Sequence, residues 1–170
     1  MNTHPANRFN GFHKYTNHHH NHTKRMGHSK SKIWIHAVFS TKDRHPLILP
    51  HFNQPVYDEL RRNLIDMGCF ADSIGGVADH VHLLFLLNPT KSIADALKQI
   101  KGASSHALNQ QALIATRFAW QTGYGAFSVS EGHLLRVRQY IHNQEEHHKT
   151  VSFLKEYQQF MEHYGLLMDD

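Results

Sequence analysis

The stretch from His80 to Leu87 sets the frame for the rest of this sequence. It reads His-Val-His-Leu-Leu-Phe-Leu-Leu, apolar apart from its two histidines, and it stops at Asn88-Pro89. A run of this length suits a buried β-strand and is too short to cross a membrane. Along a strand, residues i and i+2 lie on one side, roughly 7 Å apart. His80 and His82 therefore share a face, while Val81 points into the opposite layer.

The flanking segments supply partners for that strand. Ile33, Ile35, Ala37 and Phe39 alternate with Trp34, His36 and Val38, which is strand periodicity. Asn53, with Pro55 in the first turn, caps a helix whose apolar face is Val56, Leu60, Leu64 and Ile65 and which ends at Gly68. Residues Phe70 to Ala78 read as a second strand, with Gly75 and Gly76 marking a bulge or bend. Ser92 caps a long helix carrying Ile93, Leu97, Ile100 and Leu108. A turn-rich segment from Trp120 to Gly125 leads to a strand over Ala126–Ser130. A helix then spans about Glu131 to His147, with Gly132 as a hinge at its start, and Thr150 caps a last helix that stops before Gly165. The order is βαββαβ followed by two helices. It predicts an α+β, ferredoxin-like (split βαβ) antiparallel sheet with helices on one face, plus C-terminal helices.

Charge divides the chain. Residues 1–42 hold seven Lys or Arg and no acid, whereas residues 43–170 hold eleven basic and fourteen acidic side chains. Residues 1–30 also contain seven His and five Asn and no hydrophobic periodicity. They read as a flexible basic, His-rich arm ahead of a single domain over residues 31–170. Such an arm suits contact with a polyanion, or equally a solvated tail. Cys69 is the only cysteine, so no intramolecular disulfide forms. A polar N-terminus, a lone thiol and no membrane span predict a reducing, cytoplasmic setting.

The residues that bear chemistry gather in two places. His80 and His82 are spaced to converge on one divalent ion, or to sit as ordinary polar residues on an exposed sheet face. Tyr140 and Gln144, four apart on a helix, share a face. A phenol is a competent nucleophile toward a phosphodiester once a metal neutralises the phosphate, and a Gln amide oxygen suits Mg²⁺ or Mn²⁺. Tyr140 is also open to a packing role beside Val137 and Ile141. Lys98, Lys101, Ser104 and Ser105 on the second long helix, and Arg136 and Arg138 around Tyr140, are candidate DNA-backbone contacts or a solvated charged surface. Trp120 and Tyr124 suit base stacking or packing. Glu145 and His148 form an i, i+3 pair open to metal ligation.

In order, the stretches WIHAVFSTK (Trp34–Lys42), DHVHLL (Asp79–Leu84), KGASS (Lys101–Ser105), WQTGYGAFSVS (Trp120–Ser130) and VRQYIHNQEEHH (Val137–His148) occur along the chain. Together they resemble the HUH-type single-tyrosine transposases of the smallest bacterial insertion sequences, the group named for elements two hundred and six hundred and five. The resemblance covers roughly residues 31–165. It implies that His80 and His82 are metal ligands, Gln144 the third ligand and Tyr140 the nucleophile. It further implies a cofactor of Mg or Mn, a substrate of single-stranded DNA with hairpin ends, and a 5′-phosphotyrosine intermediate. The partner it implies is a second copy, in a homodimer whose active sites are composite. The long N-terminal arm departs from a minimal family member.

Three other readings compete. A domesticated relative would process chromosomal repeat hairpins by the same chemistry. A non-catalytic ferredoxin-like nucleic-acid-binding module would offer Trp34 and His36 as base platforms. A metal-handling protein would rest on the His-rich arm alone.

Overall fold

The computed structural model describes residues 31–111 and 116–163. The arm over residues 1–30 and the stop expected before Gly165 lie outside them. Four strands form one antiparallel sheet in the order β2-β3-β1-β4: β1 Trp34–Ser40, β2 Phe70–Val77, β3 His80–Leu86 and β4 Gly125–Val129. Helix α1 (Asn53–Asp66) links β1 to β2, and α2 (Ile93–Gln110) links β3 to β4. These are two interleaved split βαβ units, the ferredoxin-like arrangement expected from the sequence. Three further helices follow: α3 Leu134–His142, α4 Gln144–His147 and α5 Phe153–His163. None of the helices among the described residues is long and apolar enough to cross a membrane.

The sheet's two faces have different fillings because of strand periodicity. On one face, Ile35, Ala37 and Phe39 of β1 and Val81, Leu83 and Phe85 of β3 pack with Val56, Leu60 and Leu64 of α1 and with Ala96, Leu97, Ile100 and Leu108 of α2. Burial of each such Leu or Ile stabilises by roughly 1.5–3 kcal/mol. On the other face, Trp34 and Leu84 pack with Leu134 and Ile141 of α3, and with the half-buried Val137 and Tyr140. Helices therefore cover both faces, because the C-terminal helices take the second one.

Local details depart from expectation in four places. Asn53 is the first helical residue of α1, and the buried Phe52 holds the cap position without a side-chain bond. Ser92 does cap α2, its hydroxyl accepting from the Asp95 N–H at 3.0 Å. The bulge of β2 falls between Ala71 and Ser73, not at the glycines. The helix expected over Glu131–His147 is a 3-10 turn (Glu131–His133), then α3, then a break at Asn143 (φ −96°, ψ 17°), then α4. Thr150 bonds back to the His147 carbonyl at 3.2 Å, and Ser152 is the residue that caps α5, through Lys155 N–H at 3.4 Å.

The glycines of β2 serve docking instead. A Cβ on Gly75 would lie 2.5 Å from the Ile141 carbonyl oxygen, so the bare backbone is what lets α3 approach the sheet. The bulge leaves Asp72 outside the ladder, where its carboxylate accepts two bonds from Arg138, at 2.8 and 2.7 Å. Arg138 thus serves as the tie that holds α3 to β2.

Gly75→Ala should force α3 off the sheet and destabilise the chain by about 1–3 kcal/mol, the usual cost of overpacking. Amide hydrogen exchange should show faster exchange across residues 134–142 with β1 and β3 still protected. Unchanged protection of α3 would contradict this docking.

Candidate active site

Both histidines of β3 are fully buried on the α3 side of the sheet. Each is fixed through its Nδ1. His80 Nδ1 lies 2.7 Å from Asp79 Oδ1, and Asp79 Oδ2 accepts from Arg44 Nη2 at 2.8 Å and Nε at 3.2 Å. Arg44 reaches this position through a backbone pair, Asp43 and Arg44, with φ of 52° and 56°. Non-glycine residues rarely occupy that left-handed region, at a cost of order 1–3 kcal/mol each. His82 Nδ1 lies 3.1 Å from Nε2 of His36, whose ring stacks on it at 5.2 Å. In both cases the outer nitrogen, Nε2, is left buried with no hydrogen-bond partner. With their protons on Nδ1, His80 donates to Asp79 and His82 to His36, so both Nε2 lone pairs face the same space.

Tyr140 lies against that space. Its ring meets His82 edge-on at 5.5 Å, with His147 at 5.3 Å and His36 at 6.1 Å. Its hydroxyl is buried and unpartnered. Gln144 comes to the same place across the Asn143 break. It is buried, its amide nitrogen is 3.4 Å from the Tyr140 carbonyl oxygen and 3.3 Å from Glu156 Oε1, and its own Oε1 has no partner.

Glu156 stands at the centre of the cluster, and sequence reasoning missed it. It projects from the first turn of α5 with 2% of its surface exposed. Its Oε2 is 3.3 Å from His148 Nε2, 3.5 Å from His80 Nε2 and 3.6 Å from His82 Nε2, none of them forming a hydrogen bond. The donor atoms of His80, His82, His148 and Glu156 all fall within 4.8 Å of one another. The signal for Glu156 was present in the sequence: Phe153, Tyr157 and Phe160 form an apolar helical stripe, and Glu156 is an acid set inside it. His148 was paired with Glu145 in the sequence reading. Glu145 instead lies near Tyr57 of α1, beside Gly75 and Gly76, and only His148 joins the cluster.

Electrostatics follow from burial set against these contacts. Burial, then the neighbouring His82, pushes the His36 imidazole down to about 3, so it is neutral at ordinary pH and free to accept from His82. Burial would raise the Asp79 carboxyl, but the bonds from His80 and Arg44 outweigh it and hold it at about 2. Burial would lower His80, but Asp79 and Glu156 outweigh it and raise it. Burial lowers His82 against the pull of Glu156. It also lowers His148, to about 4 together with the charge of His80. Burial would raise Glu156, but His80 and His82 hold it below the usual carboxylate range. Glu156 is thus held as a carboxylate among imidazoles, and a divalent cation entering the cluster would displace the proton that His80 is biased to keep.

A cavity of about 710 Å³ opens beside Tyr140, lined on one side by Ser130, His133 and Arg136 and on the other by Gln159 and Phe160. Arg136 is thus placed next to the tyrosine. The other residues expected to contact DNA divide. Lys98 and Ser105 border a smaller hollow of about 310 Å³ together with the exposed Tyr124. Lys101 donates to the carbonyls of Thr122 and Gly123, both at 2.8 Å, and burial brings its amine down to about 8. Ser104 is fully buried, donating to the Ile100 carbonyl and accepting from Trp120 Nε1 at 2.9 Å, so it is closed to a phosphate. Trp120 is correspondingly a packing residue, edge-on to Phe39 and Phe118. Arg138 is engaged with Asp72. Trp34 and His36 are buried, which removes the open base platforms of a non-catalytic binding module. Cys69 is a packed, buried thiol.

Known proteins resemble this chain in sequence and in fold. The family model for IS200-like transposases matches residues 29–144, which include His80, His82, Tyr140 and Gln144. The ISDra2 transposase TnpA of Deinococcus radiodurans is 26% identical over 120 residues, 68% of this chain and 86% of that protein. A crystal structure from D. radiodurans R1, of a protein assigned as a transposase, superposes with a TM-score of 0.55 at 27% identity, covering 71% of this chain and 97% of the other. The REP-associated tyrosine transposase bound to a REP hairpin has the same fold, with a TM-score of 0.54 at 16% identity over 75% of this chain and 74% of that one. The chain belongs to the IS200-like transposase family, and as a transposase it is a DNA-cleaving and strand-transferring enzyme.

Proposed function

We propose that this transposase cleaves and rejoins single-stranded DNA in a metal-dependent reaction, with Tyr140 as nucleophile and a 5′-phosphotyrosine as intermediate. The observation that carries the reading is the buried, unpartnered Tyr140 hydroxyl on a ring packed against His82, whose Nε2, like that of His80, is also unpartnered. Buried polar atoms are seldom left unpaired, and several gathered at one point mark a site whose ligands come from outside the chain. The residues fit a divalent ion: His80 and His82 would hold it, with Gln144 Oε1 a further oxygen donor. Such an ion supplies Lewis-acid neutralisation of the scissile phosphate.

The chain's own groups do the rest. Asp79 and His36 fix the imidazoles in the tautomer that ligates. Arg136, in the cavity wall, holds the DNA backbone, as do Lys98 and Ser105 at the second hollow. The Tyr140 oxygen attacks phosphorus, forming a new P–O bond as the bond to the 3′ oxygen breaks. The phenol loses one proton and the released 3′ oxygen gains one. One phosphodiester replaces another, so no nucleotide hydrolysis is needed, and attack by a different 3′-hydroxyl reverses the step and joins new ends. Because the REP-associated neighbour is bound to a hairpin, we take hairpin-ended single strands as the substrate.

Arg138–Asp72 and Ile141 on Gly75 pack α3 on the sheet of the same chain, which supports a site built in cis over the composite site that the resemblance implies. We therefore read the site as built in cis. In the homodimer that the family resemblance implies, each copy then carries a complete site rather than half of a shared one.

With 3′-labelled single-stranded DNA and Mn²⁺, the wild-type chain should become covalently labelled. Tyr140→Phe should bind the DNA but form no adduct, and His82→Ala or excess EDTA should reduce labelling by at least the roughly 10²-fold typical of losing a principal catalytic stabiliser. Robust cleavage by Tyr140→Phe would overturn the reading.

Mixing His82→Ala with Tyr140→Phe chains, each inactive alone, should leave both inert in verified heterodimers. An adduct on the His82→Ala chain would show that Tyr140 works on the partner's histidines.

A further inference from the structure

The donors gathered around Glu156 exceed what the transposase reading requires. Glu156 Oε2 stands 3.3–3.6 Å from the Nε2 atoms of His148, His80 and His82. The geometry makes none of the three a hydrogen bond. The three carboxylate–imidazole separations match the edge of a tetrahedron whose centre lies about 2.0–2.2 Å from each corner, the bond length of Zn²⁺-type ions to imidazole and carboxylate, and the four donor atoms all lie within 4.8 Å of one another. All four atoms are buried and unpartnered. The carboxylate comes from α5, which is held over the histidines by side-chain contacts. Phe153 packs on His80 at 4.5 Å and under the Arg44 guanidinium at 4.7 Å, and Phe160 stacks on Phe127 at 5.4 Å. Neither α5 nor His148 lies in the segment that matches the family, which ends at residue 144.

We propose that, before DNA binds, His80, His82, His148 and Glu156 together hold one transition-metal ion in a closed four-ligand site, and that Glu156 is the ligand that gives way to the scissile phosphate. This rests on the metal-dependent reading above. Two arguments give the class of ion and the exchangeable ligand. Three imidazoles and one carboxylate favour Zn²⁺, Co²⁺, Ni²⁺ or Mn²⁺ over Mg²⁺, which prefers oxygen donors in an octahedron. A closed set of four protein ligands is a resting arrangement, because a catalytic ion needs one position for its substrate. Glu156 offers an anionic oxygen, as a phosphate does, and it belongs to a separate helix, whereas His80 and His82 are locked by Asp79 and His36. When α5 shifts, phosphate oxygen replaces carboxylate oxygen, and the ion keeps its neutralising anion.

The test is Co²⁺ binding to the full-length chain, with His18, His19, His20 and His22 changed to Gln in every sample to silence the arm. The parent should bind one Co²⁺ with the intense visible absorption of four-coordinate cobalt, and excess Mg²⁺ should not displace it. Glu156→Gln and Glu156→Ala, and separately His148→Ala, should weaken binding by at least the roughly 10–100-fold that even an outer-shell partner is worth and change the spectrum. Tyr140→Phe should alter neither. Single-stranded DNA should perturb the parent's spectrum, and the parent and Glu156→Ala should converge on the same DNA-bound spectrum because phosphate fills the position that Glu156 leaves. Wild-type affinity and spectrum in both Glu156 variants, with circular dichroism confirming their fold, would overturn the proposal. If DNA adducts still form in that case, the nucleophile reading survives; cleavage by Tyr140→Phe would instead remove that reading whatever the spectra show.

Discussion

Burial of two imidazoles on one face of β3 is the constraint on which the rest of the structure depends. The strand's two-residue period sends Val81, Leu83 and Phe85 into the main core, and the same period drives His80 and His82 into the opposite layer. A buried polar nitrogen without a partner costs about 1–3 kcal/mol. The chain satisfies the inner nitrogens with Asp79 and His36 and leaves the outer ones bare. Asp79 is held in turn by Arg44, which the chain reaches only through two left-handed residues. Strain and unmet hydrogen bonds thus concentrate at one point, and the ion proposed to bind there would offset their cost by linkage.

The covering layer is fitted to that point. Gly75 lets the backbone of α3 approach, the bulge presents Asp72 to Arg138, and Ile141 fills the space between. These contacts set Tyr140 against His82 rather than in solvent. The break at Asn143 turns Gln144 inward and leads toward the short connection from which α5 brings Glu156. Docking of helices on the second face and assembly of the site are therefore one process, and a change at Gly75 or Asp72 acts on both.

Much of this was legible in the sequence, for identifiable reasons. Period-two patterning located β1, a short apolar run stopped by Asn88-Pro89 located β3, and the Ser92 cap and the Leu97–Ile100–Leu108 stripe located α2, since local patterns report directly on element type. His80 and His82 stood out because their spacing is set within one strand, and Tyr140 and Gln144 because four residues bring side chains together even across the break at Asn143. What was hidden depends on contacts distant in sequence. The roles of Gly75 and Asp72 exist only once α3 has arrived, so the glycines looked like the bulge. Ser104 looked like a phosphate contact because nothing local shows that Trp120, sixteen residues on, takes its hydroxyl. Glu156 was overlooked because one acid in an apolar stripe has meaning only beside three histidines from β3 and the turn after α4.

The decisive question is whether the Tyr140 oxygen itself becomes bonded to DNA. It is tested most directly by trapping the wild-type chain on a single-stranded end substrate with divalent metal, digesting both polymers, and sequencing the nucleotide-bearing peptide by mass spectrometry. A Tyr140 nucleophile gives one modified peptide, with a 5′-linked nucleotide on Tyr140. Cleaved DNA with no modified peptide, or with the nucleotide on another residue, would contradict it.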